Sequence, residues 1–167
     1  MASEEAKYDV VKSNNIYEIR KYSDRLAAQV ATTSGYNGFR KLFNYISGGN
    51  EKNQKIEMTV PVTVTEVSKS TIMQFYLPSE FDKNNTPNPT SSDVKVITIK
   101  GGYYAVIRYS GRASENNFIK HKNILEDELS RDNIVIKSPA IKATYNSPYT
   151  LPLLRRNEAM FNVEYKN

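Results

Sequence analysis

The amino-acid sequence predicts an α+β fold made of two similar halves, each with β-strands and one amphipathic helix. Apolar and polar residues alternate over residues 55–64, as expected for a strand with one buried face. Apolar residues recur at three- and four-residue spacing over residues 35–47 and 115–129, as expected for helices. The order strand, strand, helix, strand, strand occurs twice, on either side of a Pro-, Asn- and Ser-rich loop at residues 78–93, and this indicates an internal duplication.

The stretch KIEMTVPVTV, residues 55–64, is the most regular strand candidate. One predicted face carries Ile56, Met58, Val60, Val62 and Val64, and the other carries Glu57, Thr59, Pro61, Thr63 and Thr65. Pro61 has no backbone N–H to donate to a neighbouring strand. We therefore expect this strand to lie at an edge, or to be bulged or bent, at Pro61.

The remaining elements follow from composition and from helix start and stop signals. Segments rich in β-branched and aromatic residues predict strands at residues 16–22, 26–33, 71–77, 94–100, 103–109, 140–145 and 159–165. The first helix has Ser34 as its predicted N-cap and Gly48 and Gly49 as its stop, and the second has Ser114 as its N-cap. The periodic residues are Tyr36, Phe39, Leu42, Phe43 and Ile46 in the first helix, and Phe118, His121, Leu125 and Leu129 in the second.

The size and composition of the chain predict a single domain. Its 167 residues, 39% hydrophobic and 25% charged, suffice for one core, whereas half of the chain would bury too little surface alone. We therefore predict one domain over residues 1–167, with halves of about 8–77 and 94–166 joined by the loop 78–93. No signal peptide and no run of about 18 apolar residues is found, so we expect a soluble, cytoplasmic protein without a membrane span.

Charge and motifs argue against several classes of function. The net charge of +5 comes from scattered single basic residues, which favours a solvated surface over a nucleic-acid site. The lack of cysteine excludes disulfides and thiol chemistry, and no phosphate-binding loop, zinc motif or hydrolase motif occurs. His121 lies on or beside the apolar stripe of the second helix, where a half-buried structural role is favoured over a metal ligand or general base. We predict no catalytic residue, no metal site and no enzymatic activity.

Apolar and basic residues together suggest a ligand-binding surface. Tyr36, Phe39 and Phe43 share one face of the first helix, although core packing is the more common role of such a stripe. In the segment YNSPYTLPLLRRNE, Leu151, Leu153 and Leu154 fall in a proline-containing loop and are followed by Arg155 and Arg156. A flat apolar ligand with carboxylate groups would suit this combination, with ordinary packing beside a basic turn as the alternative.

Four blocks of the sequence form a recognisable series: YEIRKY (residues 17–22), GFRKLFNYISGGNEKNQKIEMTVPV (residues 38–62), FYLPSEF (residues 75–81) and YNSPYTLPLLRRNEAMF (residues 145–161). Together they resemble the SOUL haem-binding protein family. The blocks occur in the same order as in the family, and the resemblance extends from about residue 8 to the end of the chain. It implies a distorted antiparallel β-barrel of two similar halves with two helices packed outside, in agreement with the duplication.

The resemblance also implies a ligand. Members of the family bind haem and other tetrapyrroles, with an apolar surface on the first helix, and are regarded as carriers or buffers. Carried over by position, the apolar binding residues are Tyr36, Phe39 and Phe43, and the basic groups near the propionates are Arg40, Lys41, Arg155 and Arg156. Leu151 and Leu153, identified above from the loop itself, complete the predicted binding residues. Some members have a basic residue where this chain has Tyr36 or Asn44. A histidine proposed as the iron ligand in some members has no counterpart in the first third of this chain, and His121 belongs to the other half. Where the family usually has Trp after RRNE, this chain has Ala159 and Met160.

We therefore predict a monomeric, non-enzymatic protein that binds haem or protoporphyrin as a carrier or buffer. The available iron ligands are His121, a methionine such as Met58, or a tyrosine, and we expect no strong axial ligand from the protein. The alternative is an interaction or regulatory module that has kept the fold and lost the ligand, with an unidentified protein partner.

Overall fold

The computed structural model describes residues 3–33 and 35–166, the side chains of Gly35 and Tyr36 excepted. Within these residues the chain forms nine β-strands and two α-helices, so the predicted α+β class is confirmed. The first part of the chain contains β1 (Tyr8–Ser13), β2 (Glu18–Tyr22), β3 (Arg25–Thr32), α1 (Gly35–Ile46), β4 (Val62–Val67) and β5 (Ser70–Tyr76). The second contains β6 (Val94–Ile99), β7 (Gly102–Tyr109), α2 (Glu115–Arg131), β8 (Ile141–Thr144) and β9 (Asn157–Val163), with a 3₁₀ turn at Pro152–Leu154.

The chain divides into two compact units, and the first consists of Asp24–Lys100 with the N-terminal residues up to Ala6. Its strands pair antiparallel in the order β4, β5, β3, β6, with Val62 opposite Phe75 and Ala28 opposite both Phe75 and Val96. Helix α1 packs on β3, β5 and β6. The core between helix and strands contains Ala28, Val30, Leu42, Tyr45, Ile46, Ile56, Met73, Phe75, Leu77 and Val94. The apolar stripe of the first helix, together with alternate strand residues, thus forms one buried layer.

The second unit consists of Lys7–Ser23 and Gly101–Asn167. Its strands pair antiparallel in the order β1, β2, β7, β9, β8, with a register shift in β1 between Val10 and Lys12. Helix α2 packs on β7 and β9, and Ser114 caps it by accepting a hydrogen bond from the N–H of Asn117. The core contains Tyr17, Ile19, Ala105, Ile107, Tyr109, Phe118, Leu125, Leu129, Ala159, Phe161 and Val163. The predicted cap and three of the four predicted core positions of this helix, Phe118, Leu125 and Leu129, are confirmed.

The two units repeat one pairing scheme, as the predicted duplication requires. In the first unit β3 lies between β5 and β6, and in the second β7 lies between β9 and β2. The leading strands of each sequence repeat, β1 and β2 in the first and β6 in the second, therefore pair within the unit formed mainly by the other repeat. Sequence order alone does not predict this exchange, because strand pairing is not local.

The strand predicted over residues 55–64 is shorter and more buried than expected. Strand β4 begins only at Val62, directly after Pro61, whose peptide bond with Val60 is cis. The prediction of one solvated face is wrong, because Thr59 and Thr63 are buried there. The Thr59 hydroxyl donates a 2.6 Å hydrogen bond to the Tyr76 carbonyl, and the Thr63 hydroxyl donates a 3.3 Å bond to Gln74 Oε1. Burial of these two threonines costs little free energy, because each hydroxyl has a hydrogen-bond acceptor.

Two elements differ further from the prediction. Strand β1 was not predicted, because its sequence YDVVKS is short and lacks a clear alternation. The segment around Leu153, predicted as a loop, contains the 3₁₀ turn. The predicted N-cap of the first helix, Ser34, lies outside the described residues.

Candidate functional site

Helix α1 presents an exposed pair of phenylalanines, here called the α1 aromatic face. Phe39 and Phe43 lie one turn apart, and their rings stack with centroids 6.0 Å apart and an interplanar angle of 12°. Phe39 is 40% exposed and Phe43 is 48% exposed. The Phe39 ring also packs edge-to-face with Phe75 of the core, with ring centroids 5.3 Å apart, so the pair is anchored at one end. The alternative of complete burial in the core is thus excluded for these two rings.

Close packing fixes α1 on its strands. A Cβ atom at Gly38 would lie 3.0 Å from Thr32 Cγ2, so glycine permits the short approach of helix to β3. At the other end of the helix, Tyr45 is buried and donates a 2.7 Å hydrogen bond to the Pro87 carbonyl. Burial, with the charge of Glu51, raises the pKa of Tyr45 to about 12, so this hydroxyl stays a donor at neutral pH.

The turn after α1 is held by the side chain of a buried asparagine. Asn50 Nδ2 donates to the carbonyls of Tyr45 and Gln54, and its Oδ1 accepts from the backbone N–H of Lys52 and Gln54. The N–H of Gly49 donates to the carbonyl of Asn44 at 2.9 Å. These bonds satisfy backbone groups at the helix end and keep the α1 aromatic face in one orientation.

The two basic residues of α1 differ in whether a carboxylate is shown paired with them. Arg40 is exposed, whereas Lys41 pairs with Asp93 at 3.0 Å. Asn44 is exposed as well. Tyr36 belongs to α1, but its side chain lies outside the described part of the structure. Arg40 is therefore the predicted basic group that the described structure leaves most open to an anion beside the α1 aromatic face.

The second predicted group of site residues lies in the second unit, on residues 147–156, here called the leucine loop. Leu151, Leu153 and Leu154 are 66%, 87% and 71% exposed around the 3₁₀ turn. The Pro152 carbonyl accepts a 2.9 Å hydrogen bond from the N–H of Gly111. Arg155 Nη1 donates a 2.8 Å bond to the Ser147 carbonyl, which closes the base of the loop. The loop is therefore ordered by its backbone, while its leucine side chains face solvent.

Arg156 is engaged in a buried cluster, here called the Glu158 network. Its Nε and Nη2 lie 3.2 and 3.1 Å from Glu158 Oε2, and its guanidinium lies 3.8 Å from the ring centroid of Tyr145. Glu158 also accepts bonds of 2.8 and 2.7 Å from Arg20, in a two-pronged pair, and a 2.5 Å bond from the Tyr145 hydroxyl. Arg20 and Glu158 are both almost completely buried. Sequence reasoning missed this network, because nothing local links residues so far apart in the chain.

The charges of the Glu158 network depend on one another. Burial alone would raise the pKa of Glu158, but the hydrogen bonds and charge of Arg20 hold it below its ordinary value. Burial would likewise lower the pKa of Arg20, and its bonds with Glu158 raise it instead. Burial and the Glu158 carboxylate raise the pKa of Tyr145 well above its usual range. The Glu158 carboxylate therefore remains ionised at neutral pH, paired with the Arg20 guanidinium.

His121 is half-buried on α2, as predicted for a structural histidine. Its ring stacks on Tyr109 with centroids 4.0 Å apart, and its Nδ1 lies 2.8 Å from the Asn117 carbonyl oxygen. Among the described residues, no group of three or more histidine, cysteine or acidic side chains is placed to hold a metal ion. In the same part of the chain, no helix has the length and apolar character needed to cross a membrane.

Comparison with known proteins gives a family and a fold. The SOUL heme-binding protein family model matches residues 3–162. Heme-binding protein 2 of Mus musculus is 33% identical over 95% of this chain and 83% of its own length. Among solved structures, the EcmrR C-terminal domain superimposes with a TM-score of 0.66 at 9% identity, covering 94% of this chain and 98% of that one. A protein described as a hydrolase from Listeria innocua superimposes with a TM-score of 0.65 at 10% identity, covering 92% and 94%. These two structural likenesses show a shared fold.

Proposed function

The chain belongs to the SOUL heme-binding protein family, and from that premise we propose that it binds haem or a related tetrapyrrole on the α1 aromatic face. The observation that carries the proposal is the solvent exposure of the stacked Phe39 and Phe43 rings. Two exposed aromatic rings on one helix face offer apolar area that a macrocycle would cover. The exposed guanidinium of Arg40 on the same helix suits a propionate group.

Burial of apolar surface supplies most of the binding energy in this proposal. The exposed parts of Phe39 and Phe43 together equal about nine-tenths of one phenylalanine, or ~150–200 Å². Covering that area is worth up to ~4–5 kcal/mol before the cost of association. A propionate paired with an exposed arginine adds only about 0–1 kcal/mol.

The remaining predicted contacts are kept in the proposal. Tyr36 stays a predicted contact, and Leu151, Leu153, Arg155 and Arg156 form a separate set on the leucine loop. Among these, Arg156 has the least capacity for a ligand, since its guanidinium already pairs with Glu158. We propose that the chain acts as one domain, a monomeric carrier or buffer in the cytoplasm.

We propose binding without catalysis and without a strong iron ligand from the protein. Glu158 and Arg20 are both buried and are bonded to each other. Neither is therefore free to act as a general acid or base. His121 directs Nδ1 to a backbone carbonyl and packs its ring on Tyr109, as a structural residue does. Haem whose six-coordinate low-spin bands disappear in the His121→Ala protein would contradict this part of the proposal.

Titration of the purified protein with haemin and with iron-free protoporphyrin tests the proposal. We expect saturable spectral change with both, because the macrocycle rather than the iron is bound. The Phe39→Ala/Phe43→Ala protein is expected to lose most of the affinity. A matched control is Ile119→Ala/Ile124→Ala, which removes exposed apolar side chains from α2 and is expected to bind as the unchanged protein does.

The alternative is a protein-interaction or regulatory module on the same fold. It is favoured by Met160, which is buried where family members usually carry a tryptophan, and by the absence of a histidine in the first third of the chain. Failure of both porphyrins to saturate the protein would select this alternative and reject tetrapyrrole binding.

A further inference from the structure

The leucine loop is the largest set of exposed apolar side chains in one short described segment. Tyr149, Leu151, Leu153 and Leu154 lie within six residues and are all at least 66% exposed, with Tyr149 at 95%. A contiguous exposed apolar patch of this kind marks an interaction site more often than scattered single residues do. The ordered backbone holds these side chains outward, since Pro152 and Arg155 are both fixed to neighbouring carbonyl or N–H groups.

Basic side chains outnumber acidic ones around the leucine loop. Residues 133–157 contain no aspartate or glutamate and include Lys137, Lys142, Arg155 and Arg156. Lys142 pairs with Glu115 and Arg156 pairs with Glu158, whereas Arg155 bonds the Ser147 carbonyl and keeps its net charge. Lys137 lies at the other end of β9 from the loop, because its N–H donates to the Asn162 carbonyl. Arg112 adds a second basic charge beside the loop, because it is exposed and follows Gly111, whose N–H donates to the Pro152 carbonyl.

We infer that the leucine loop docks the protein on an anionic lipid surface. Leucine side chains enter the acyl region, tyrosine takes the interfacial position, and basic side chains meet the lipid phosphates and carboxylates. The loop lies on such a surface rather than spanning it. The inference goes beyond the proposed function, and it rests on residues of the second unit, whereas tetrapyrrole binding rests chiefly on α1.

Sedimentation with lipid vesicles tests this inference. The full chain is mixed with vesicles of phosphatidylcholine alone and of phosphatidylcholine with phosphatidylserine, at low and at high salt. We expect binding to the anionic vesicles only, weakened by salt because exposed charges are screened. The Tyr149→Ser/Leu154→Ser protein is expected to bind those vesicles at least roughly tenfold more weakly, since two apolar side chains no longer enter the lipid.

Two controls separate this inference from the others. Both substituted residues are exposed, so the variant is expected to keep its melting temperature, which circular dichroism checks. The Phe39→Ala/Phe43→Ala protein is expected to bind anionic vesicles as well as the unchanged protein, even where it fails to bind haem. If the unchanged protein does not bind vesicles, the inference is overturned and a protein partner becomes the alternative. Equal binding by the Tyr149→Ser/Leu154→Ser protein also overturns it.

Discussion

Replacement of Phe43 by alanine tests the energetic basis of the proposed site. Phe43 is 48% exposed, so a ligand on α1 covers about 100 Å² of a side chain that offers roughly 200 Å². At ~25 cal/mol per Å² this area is worth at most ~2.5 kcal/mol, of which alanine retains a small part. We therefore expect the Kd for haem to rise by roughly 10- to 30-fold.

Arg155→Ala is the matched comparison. Its guanidinium lies in a half-exposed position and already bonds the Ser147 carbonyl, so a propionate gains about 0–1 kcal/mol from it. That corresponds to a change in Kd of at most about fivefold. Titrations at the Soret band with haemin, and by fluorescence with protoporphyrin, give both constants. A larger loss for Arg155→Ala than for Phe43→Ala would refute the view that macrocycle burial dominates.

Other predictions concern the stability of the two units. Glu158→Ala removes the buried two-pronged partner of Arg20 and leaves it only the half-buried Glu18 carboxylate, at an expected cost of ~3–5 kcal/mol and a melting temperature lower by about 6–20 °C, while the exposed Glu164→Ala is expected to change little. Calorimetry that finds equal melting temperatures would contradict this. Because the folded pKa of Glu158 lies below its unfolded value, its stabilisation is present above about pH 4.3 and is lost as the pH falls through the folded pKa. Urea unfolding between pH 3 and 7 should show a steeper acid loss for the unchanged protein than for Glu158→Gln, and parallel curves would argue against it. Gly49→Ala places a Cβ atom 2.7 Å from the Asn44 carbonyl oxygen, so we expect a loss of ~1–3 kcal/mol in the free energy of unfolding, and an unchanged denaturation midpoint would show that the helix end can shift.

Local patterns in the sequence predicted most elements and part of the candidate site. Helical spacing in α1 gave the right bounds to within one residue, and the spacing of Phe39 and Phe43 identified their shared face. Whether that face is buried depends on how α1 rests on β3, and this is a tertiary property. The i to i+4 pattern alone therefore left both core packing and ligand binding open.

Pairing between distant residues is what sequence reasoning missed. The bond between Arg20 and Glu158 joins residues 138 positions apart, and either residue alone reads as an ordinary charge at a strand position. The same limit applies to Thr63. Alternation assigns it to a solvated face, but it is buried and its hydroxyl donates to Gln74 on the neighbouring strand. Alternation reports which residues share a face, and burial of that face depends on what covers it.

The pairing of β6 with β3, and of β2 with β7, has a consequence for any fragment of this protein. Cleavage in the connector at residues 78–93 gives two pieces. The N-terminal piece lacks β6 of the first unit, and the C-terminal piece lacks β1 and β2 of the second. Neither piece can complete its own hydrogen-bonded ladder, but a mixture of the two can. A half-length chain with one repeat would meet the same requirement only by exchanging its leading strands with a second copy, as a domain-swapped dimer does.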